Sequence, residues 1–108
     1  MRSTLTELAL LCISASSGIA MAQDGYVPPH GFVPDAATAI TIARAVLIPI
    51  YGAKTIKSEE PLIARRKGDT WDVVGTLPCP AEGRCDGGTA ELKLLAADGQ
   101  ILFVTHYK

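Results

Sequence analysis

The 108-residue sequence has few aromatic residues, only three cysteines and almost no excess of charge. Ten basic and eleven acidic residues give a formal net charge of −1 at pH 7. A nucleic-acid-binding domain normally presents a strongly basic face, and attraction to anionic lipid needs a comparable cluster of positive charge. The composition therefore favours neither a nucleic-acid-binding protein nor one held on a membrane surface.

The sequence also lacks the short motifs that identify common catalytic sites. It contains no nucleophile motif, no glycine-rich phosphate-binding loop, and no cysteine and histidine spacing typical of a metal site. We therefore predict no cofactor, no metal and no enzyme activity. Candidate functional residues have to be weighed one at a time.

No apolar run is long enough to cross a bilayer, but the N-terminus has the features of an export signal. Arg2 supplies a positive start, residues 8–19 form an apolar run, and 20–22 (Ala-Met-Ala) form a small-x-small cleavage site. We predict a signal peptide over residues 1–22, with an uncleaved anchor as the alternative. Removing 22 residues from 108 leaves 86, which suffices for one small domain.

The cysteines are consistent with an exported protein. Cys12 belongs to the predicted signal peptide, so Cys79 and Cys85 are the two that remain. An even number of cysteines in an exported chain predicts a disulfide, here between Cys79 and Cys85. A metal-binding pair is the alternative, but no histidine or further cysteine lies near enough in sequence to complete such a site.

Two charged segments are candidates for binding a partner protein. A basic run ends a predicted strand and suits an acidic partner surface, although a solvated edge that discourages pairing between sheets is the alternative. The loop between the two cysteines carries charged side chains and would be held in place by the predicted disulfide. A preordered loop loses less conformational entropy when it binds a partner. The alternative is that the loop only stabilises the fold. The candidates are Arg65, Arg66 and Lys67 in the run, and Glu82, Arg84 and Asp86 in the loop.

Residues 34–52 form the only long stretch with helical periodicity. Asp35 is a suitable N-cap, and Gly52 is suited to end the helix. Pro49 removes a backbone donor, so we predict a kink or a restart there. The apolar stripe of this helix consists of Ala36, Ala39, Ile40, Ala43, Leu47 and Ile50.

The segments on either side of the helix are less regular. Residues 23–33 are rich in proline and glycine and are predicted to be extended. Residues 53–60 are polar and form either a short strand or a helical turn. His30 is expected to be solvated in its loop. The side chains available to pin the extended segment to the domain are Tyr26, Val27, Phe32 and Val33.

The second half of the chain predicts two hairpins. In the first, residues 62–67 and 70–77 flank a two-residue turn at Gly68-Asp69. This register predicts that Arg65 pairs with Asp72 on the open side of the sheet and that Arg66 lies over the Trp71 ring. The core side would carry Leu62, Ala64, Trp71 and Val73.

In the second hairpin, residues 89–96 and 100–107 flank an Asp98-Gly99 turn. The simplest register places His106 opposite Glu91. Glu91 could then orient His106 as a general base, but the favoured interpretation is an exposed cross-strand polar pair. No acidic residue is predicted to point inward. The simplest register also buries Ala90, Leu92, Leu94, Ile101 and Phe103, whereas a bulged turn brings Leu102 and Val104 inward instead.

The order of elements predicts an α+β fold. One main N-terminal helix would pack on a curved antiparallel sheet of about four strands, forming a cone-like roll. The predicted organisation is a signal peptide over 1–22, an extended segment over 23–33 and a single α+β domain over 34–108.

Three segments of the chain resemble a known family. PDAATAITIARAVLIPIYG, KGDTWDVVGTLP and GGTAELKLLAADGQILFVTHYK are similar to the bacterial immunity proteins with a nuclear-transport-factor-2-like fold. The similarity extends from about Val33 to His106. The resemblance implies an α+β roll and a role in binding and neutralising a toxin delivered by neighbouring cells, with no catalytic residues to assign.

Together with the export signal and the cysteine pair, this resemblance predicts a periplasmic protein that blocks a secreted toxin acting in that compartment. Two alternatives remain. One is a small-molecule binder or enzyme that uses the conical pocket of related folds, which needs a buried acid and a polar partner. The other is a periplasmic lysozyme inhibitor, which shares the binding logic but has a different partner.

Overall fold

The computed structural model describes residues 24–79 and 87–108. The predicted signal peptide, and Glu82, Arg84, Cys85 and Asp86 of the loop, lie outside the described residues. The elements follow in the order α1 (Ala36–Tyr51), α2 (Ala53–Ser58), β1 (Ile63–Lys67), β2 (Thr70–Val74), β3 (Ala90–Leu95) and β4 (Ile101–His106).

Helix α1 begins where its sequence predicts. The Asp35 carboxylate accepts hydrogen bonds from the Thr38 backbone N–H at 2.8 Å and from the Thr38 hydroxyl at 2.6 Å. These two bonds hold the pKa of the exposed Asp35 carboxyl below its ordinary value. The helix ends at Gly52, whose φ of 95° is easily reached only by glycine.

Of the kink or restart predicted at Pro49, the restart does not occur and the kink stays a prediction, whereas the expected burial of Ile50 was wrong. The helix continues through Pro49 to Tyr51 without a restart, because in the last turn only the bond from residue 49 to Ala45 is lost. Ile50 is 53% exposed rather than part of the buried stripe. Ile48 and Tyr51 pack on the core in the last turn, which leaves Ile50 on the opposite side.

Residues 53–58 form the short helix α2 rather than a strand. Ile56 is its fully buried residue, and the others are Ala53 and four polar residues, which are mostly exposed. An ion pair between Arg44 and Glu60, 2.9 Å from Nε to Oε2, joins α1 to the segment that follows α2. No helix in residues 24–79 or 87–108 is long and apolar enough to cross a membrane.

The four strands form one antiparallel sheet in the order β1-β2-β3-β4. Helix α1 packs on one side, which we call the helix face, and contacts β1, β2 and β3. The opposite side is called the open face. This arrangement confirms the predicted fold class of a helix on a four-stranded antiparallel sheet. The buried core consists of Val33, Ala39, Ala43, Leu47, Ile56, Leu62, Trp71, Val73, Ala90, Leu92, Leu94 and Ala96.

The first hairpin has the predicted register. Ala64 lies opposite Val73, and Arg66 lies opposite Trp71. Gly68 in the two-residue turn has a φ of 62°, as a tight hairpin turn requires. Strand β2 ends at Val74, earlier than expected, and β1 begins one residue later than expected.

The second hairpin has the bulged register. Leu92 lies opposite Val104 and Lys93 opposite Phe103, with an irregularity between Lys93 and Leu94. Val104 therefore packs towards the core, while Phe103 is exposed, contrary to the simplest register. The turn is also wider than a two-residue Asp-Gly turn, because the Leu95 N–H donates to the carbonyl of residue 100.

The extended N-terminal segment is fixed at its end next to the helix. Val33 is fully buried, and its carbonyl accepts a hydrogen bond from the Trp71 indole N–H at 2.8 Å. Phe32 and Val33 also donate backbone bonds to the turn between β3 and β4. Among the four residues expected to pin the segment, only Val33 is buried, and Tyr26, Val27 and Phe32 are largely exposed.

Candidate functional site

The basic run is divided between the two faces of the sheet. Successive side chains of a strand point to opposite sides, so Arg65 and Lys67 belong to the open face and Arg66 to the helix face. The Arg66 guanidinium lies 5.6 Å from the centroid of the Trp71 ring, as predicted. Its Nε donates to the Gly68 carbonyl at 2.6 Å. The three residues therefore do not form one continuous cationic surface.

The predicted ion pair between Arg65 and Asp72 was wrong. Asp72 instead contacts Lys67, with 3.5 Å between Nζ and Oδ2. Lys67 occupies the diagonal position on the same face, and its long side chain reaches the carboxylate from there. The other oxygen of Asp72, Oδ1, is buried and has no hydrogen-bond partner within residues 24–79 and 87–108.

Strand β4 carries an unusual exposed apolar segment. Ile101, Leu102 and Phe103 are 36%, 47% and 43% exposed. We call these three residues the β4 patch. Phe103 lies opposite Lys93 on the open face, and the Lys93 ammonium is 5.5 Å from the centroid of its ring. The patch lies on an edge strand, since among the described strands β4 pairs with β3 alone.

A second cluster lies on the helix face and contradicts the prediction that no acid points inward. Glu59, which follows α2, is only 4% exposed. Its Oε1 accepts a hydrogen bond from the Ala90 backbone N–H at 2.8 Å, and its Oε2 lies 2.6 Å from His106 Nε2. Glu59 therefore joins the end of α2 to both β3 and β4.

The partner of His106 also differs from the one predicted. The bulged register places His106 opposite Ala90 rather than Glu91, so its ring turns to the helix face and meets Glu59. Glu91 instead accepts a hydrogen bond from the Tyr107 hydroxyl at 2.7 Å. That bond to a carboxylate raises the pKa of Tyr107, because it favours the protonated phenol.

The contacts of the His106 ring define how many protons the Glu59–His106 pair holds. Nδ1 lies 2.8 Å from the Tyr107 carbonyl oxygen, which can only accept, so Nδ1 carries a hydrogen. A second proton must lie between Nε2 and Oε2 to make the 2.6 Å contact attractive. The pair is therefore either an imidazolium with a carboxylate or a neutral imidazole with a carboxylic acid.

A shallow, open depression of about 530 Å³ adjoins this pair. The Tyr51 ring packs against the His106 ring, with 5.2 Å between centroids. His106 is the member of the pair that reaches the depression, whereas Glu59 lies behind it with both oxygens occupied. The lining residues are Tyr51, Thr55, Val104, Thr105, His106 and Lys108.

Several predicted site residues are not part of these clusters. His30 is exposed in its loop, as expected, and borders a separate depression of about 420 Å³. Within residues 24–79 and 87–108, no three of the side chains that ligate metals come together. Because Cys85 lies outside the described residues, its pairing with Cys79 stays a prediction. The same holds for the binding roles of Glu82, Arg84 and Asp86.

The sequence did not indicate a role in a functional site for Glu59, Lys93 or Phe103. Glu59 ends a short polar segment, and its burial depends on contacts with residues 31 and 47 positions away. The exposure of Phe103 depends on the bulge, which a period-two pattern does not reveal. The one available signal was the run of three large apolar residues in a strand without any charged residue.

A family model described as an NTF2 fold immunity protein matches residues 38–108. The match includes both helices from the third residue of α1 onwards and all four strands. No curated protein and no solved structure shows a significant match to the chain.

Proposed function

Because the chain belongs to the family of NTF2-fold immunity proteins, we propose that it protects the cell by binding a secreted antibacterial toxin in the periplasm. The match over residues 38–108 is the observation that carries this proposal, since it supports a toxin-neutralising immunity role. The compartment, the surface used and the toxin's chemistry go beyond that match and are part of the proposal.

We propose that neutralisation occurs by binding rather than by a chemical reaction. Helix α1 packs on one side of the sheet, and Glu59 joins the end of α2 to β3, so the sheet is a preformed surface. A preformed surface loses little conformational entropy when a partner docks, which leaves more of the contact energy for affinity. A surface of this kind would cover the active site of the toxin and exclude its substrate.

The periplasmic location is supported by the N-terminal sequence and by the cysteines. Arg2, the apolar run 8–19 and the small residues of 20–22 have the composition of an export signal. The remaining cysteine pair, Cys79 and Cys85, suits an oxidising compartment. A toxin that acts there would attack peptidoglycan, phospholipid or the membrane itself.

The proposed function is tested in a strain that lacks this gene and is grown in contact with sister cells. We expect the deletion strain to be killed and to be rescued by the full chain, but not by a chain lacking residues 1–22. Full resistance of the deletion strain would contradict the immunity role. Rescue by the chain without residues 1–22 would contradict only the periplasmic location.

The partner is identified by capture. Tagged protein comprising residues 23–108 is incubated with the secreted fraction of the producing strain, and bound proteins are identified by mass spectrometry. We expect one stoichiometric partner with a toxin domain, whose activity falls when the captured pair is formed from purified components. Stoichiometric capture of a lysozyme instead would support the lysozyme-inhibitor alternative.

One observation favours a second candidate function. The buried Glu59 and its partner His106 are the acid and polar group that a small-molecule site in this fold would need, and an open depression adjoins them. Against this, both carboxylate oxygens of Glu59 are already hydrogen-bonded within the protein. A thermal-shift screen with a metabolite panel separates the candidates, because a small ligand at this depression would raise the melting temperature.

A further inference from the structure

We propose that the toxin docks on the open face of the sheet, with Phe103 of the β4 patch as the apolar centre and Lys93 and Arg65 as flanking cations. The partner surface would be apolar and bordered by carboxylates. This inference rests on the proposed function and specifies which surface performs it.

The two edge strands of the sheet differ in charge and in exposed apolar side chains. Exposed edges are usually protected by charged side chains, and β1 carries Arg65, Arg66 and Lys67. Strand β4 has no charged residue from Ile101 to Thr105, and its first three side chains are large, apolar and exposed. Three consecutive exposed apolar residues are unfavourable in a monomer unless they have a function.

Charged residues lie next to Phe103 on the open face. Arg65, Asp72, Lys93 and Phe103 occupy one row of cross-strand neighbours on the open face. The carboxylate of Asp72 contacts Lys67, and that of Glu91 accepts from Tyr107. Neither Arg65 nor Lys93 forms an ion pair with any residue in 24–79 or 87–108. An acidic partner would neutralise both cations.

The charges on the open face favour the toxin over a second copy of this chain as the partner. A two-fold contact whose axis runs along this row would place each residue opposite its own copy, so that Lys93 faces Lys93 and Arg65 faces Arg65. Like charges placed opposite each other in an interface oppose association. The charge distribution therefore favours a heterologous acidic partner.

The test measures the affinity of the captured and purified toxin for variants of the protein by titration calorimetry. We expect Phe103→Ala and the charge reversal Lys93→Glu each to weaken binding by about 30-fold or more, as at a central hot spot. The affinity of the unchanged protein should also fall between low and high salt, because exposed charges are screened.

Two matched controls lie away from the open face. Ile50→Ala removes a similarly exposed apolar side chain from α1, and Lys54→Glu reverses an exposed charge on α2. We expect both to bind the toxin as the unchanged protein does. Circular dichroism melts of all four variants establish that each is folded before binding is compared.

Different outcomes distinguish failure of the proposed function from failure of the docking surface. If no toxin is captured, the proposed function fails and this inference fails with it. If the toxin binds Phe103→Ala and Lys93→Glu unchanged, only the docking surface is overturned. Light scattering of the protein alone should give a monomer, and a dimer that Phe103→Ala dissociates would assign the patch to a second copy instead.

Discussion

The helix face and the open face of the sheet are built from the same four strands, yet their side chains have different surroundings. On the helix face, apolar residues such as Val73 and Leu92 are fully buried, and the buried acid Glu59 has a hydrogen-bond partner for each oxygen. On the open face, Phe103 is exposed and Lys93 and Arg65 have no carboxylate partner among the described residues.

This difference indicates that the two faces have separate roles. Burial of apolar surface stabilises the fold, and the helix face accounts for nearly all of that burial. Side chains on the open face contribute little to the core, so they are free to differ between proteins that bind different partners. Substitutions on each face test whether the two roles are separate, and the largest expected effect is on the helix face.

Truncation of a central core residue should have the largest effect on stability. Leu92 is fully buried between β2 and β4, so Leu92→Ala is expected to lower the free energy of unfolding by about 3 kcal/mol. Phe103→Ala, on the neighbouring strand but the other face, should cost less than about 1 kcal/mol. Urea unfolding measures both, and Leu92→Val replaces the alanine variant if that variant does not fold. Equal costs at the two positions would contradict the separation of roles.

Removal of the buried carboxylate should have the next largest effect. Glu59→Ala leaves the Ala90 N–H and His106 without their partner and should cost about 2 kcal/mol or more. Glu59→Gln keeps an oxygen for Ala90 and supplies an N–H that Nε2 of a neutral His106 can accept, so it should cost less. The melting temperatures of the two variants give the comparison.

An equal loss of stability in both Glu59 variants would mean that the carboxylate charge, not the hydrogen-bond geometry, holds this end of the sheet. Toxin binding provides a further check, since Glu59→Gln lies on the helix face and should leave the affinity unchanged.

The anchor of the N-terminal segment should have a smaller effect. Trp71→Phe retains most of the apolar ring but removes the indole N–H that donates to the Val33 carbonyl. We expect a loss of about 1 kcal/mol, the usual contribution of one hydrogen bond, together with faster proteolysis between residues 24 and 33. Limited proteolysis followed by mass spectrometry detects this change, and cleavage confined to other segments would argue against the anchor.

The smallest expected effect is a loss of stability at low pH. The Thr38 hydrogen bonds lower the pKa of Asp35 in the folded protein below its ordinary value of 3.8. Its ionised form therefore stabilises the fold above that pH, and the contribution is lost as the pH falls through the folded pKa. Asp35→Asn retains an N-cap that does not titrate. Melting temperatures below pH 4 should converge for the two proteins, and a gap that widens in favour of the unchanged protein would contradict this assignment.

The helix face was largely predictable from the sequence because its pattern is local. The spacing of Ala39, Ala43 and Leu47, the Asp35 cap and the two-residue turn at Gly68 each define their structure within a few residues. Together they gave the fold class and the register of the first hairpin. The family resemblance agreed with this fold and was confirmed.

The open face and the Glu59 cluster were less predictable because they depend on the bulge. A shift of one residue after Lys93 exchanges the sides on which Phe103 and Val104 lie, and period-two alternation fits both registers. The same shift moves His106 from Glu91 to Glu59. The basic run was correctly located on an edge strand, but strand alternation divides it, and its role in binding stays a prediction.

The most direct test of the central claim is the survival of the deletion strain in contact with toxin-secreting sister cells. The strain carries the full chain with Phe103→Ala or Ile50→Ala, at equal protein levels. We expect Phe103→Ala to fail to protect although it remains folded, and Ile50→Ala to protect fully. Protection by Phe103→Ala equal to that of the unchanged protein would contradict the claim that the open face binds the toxin.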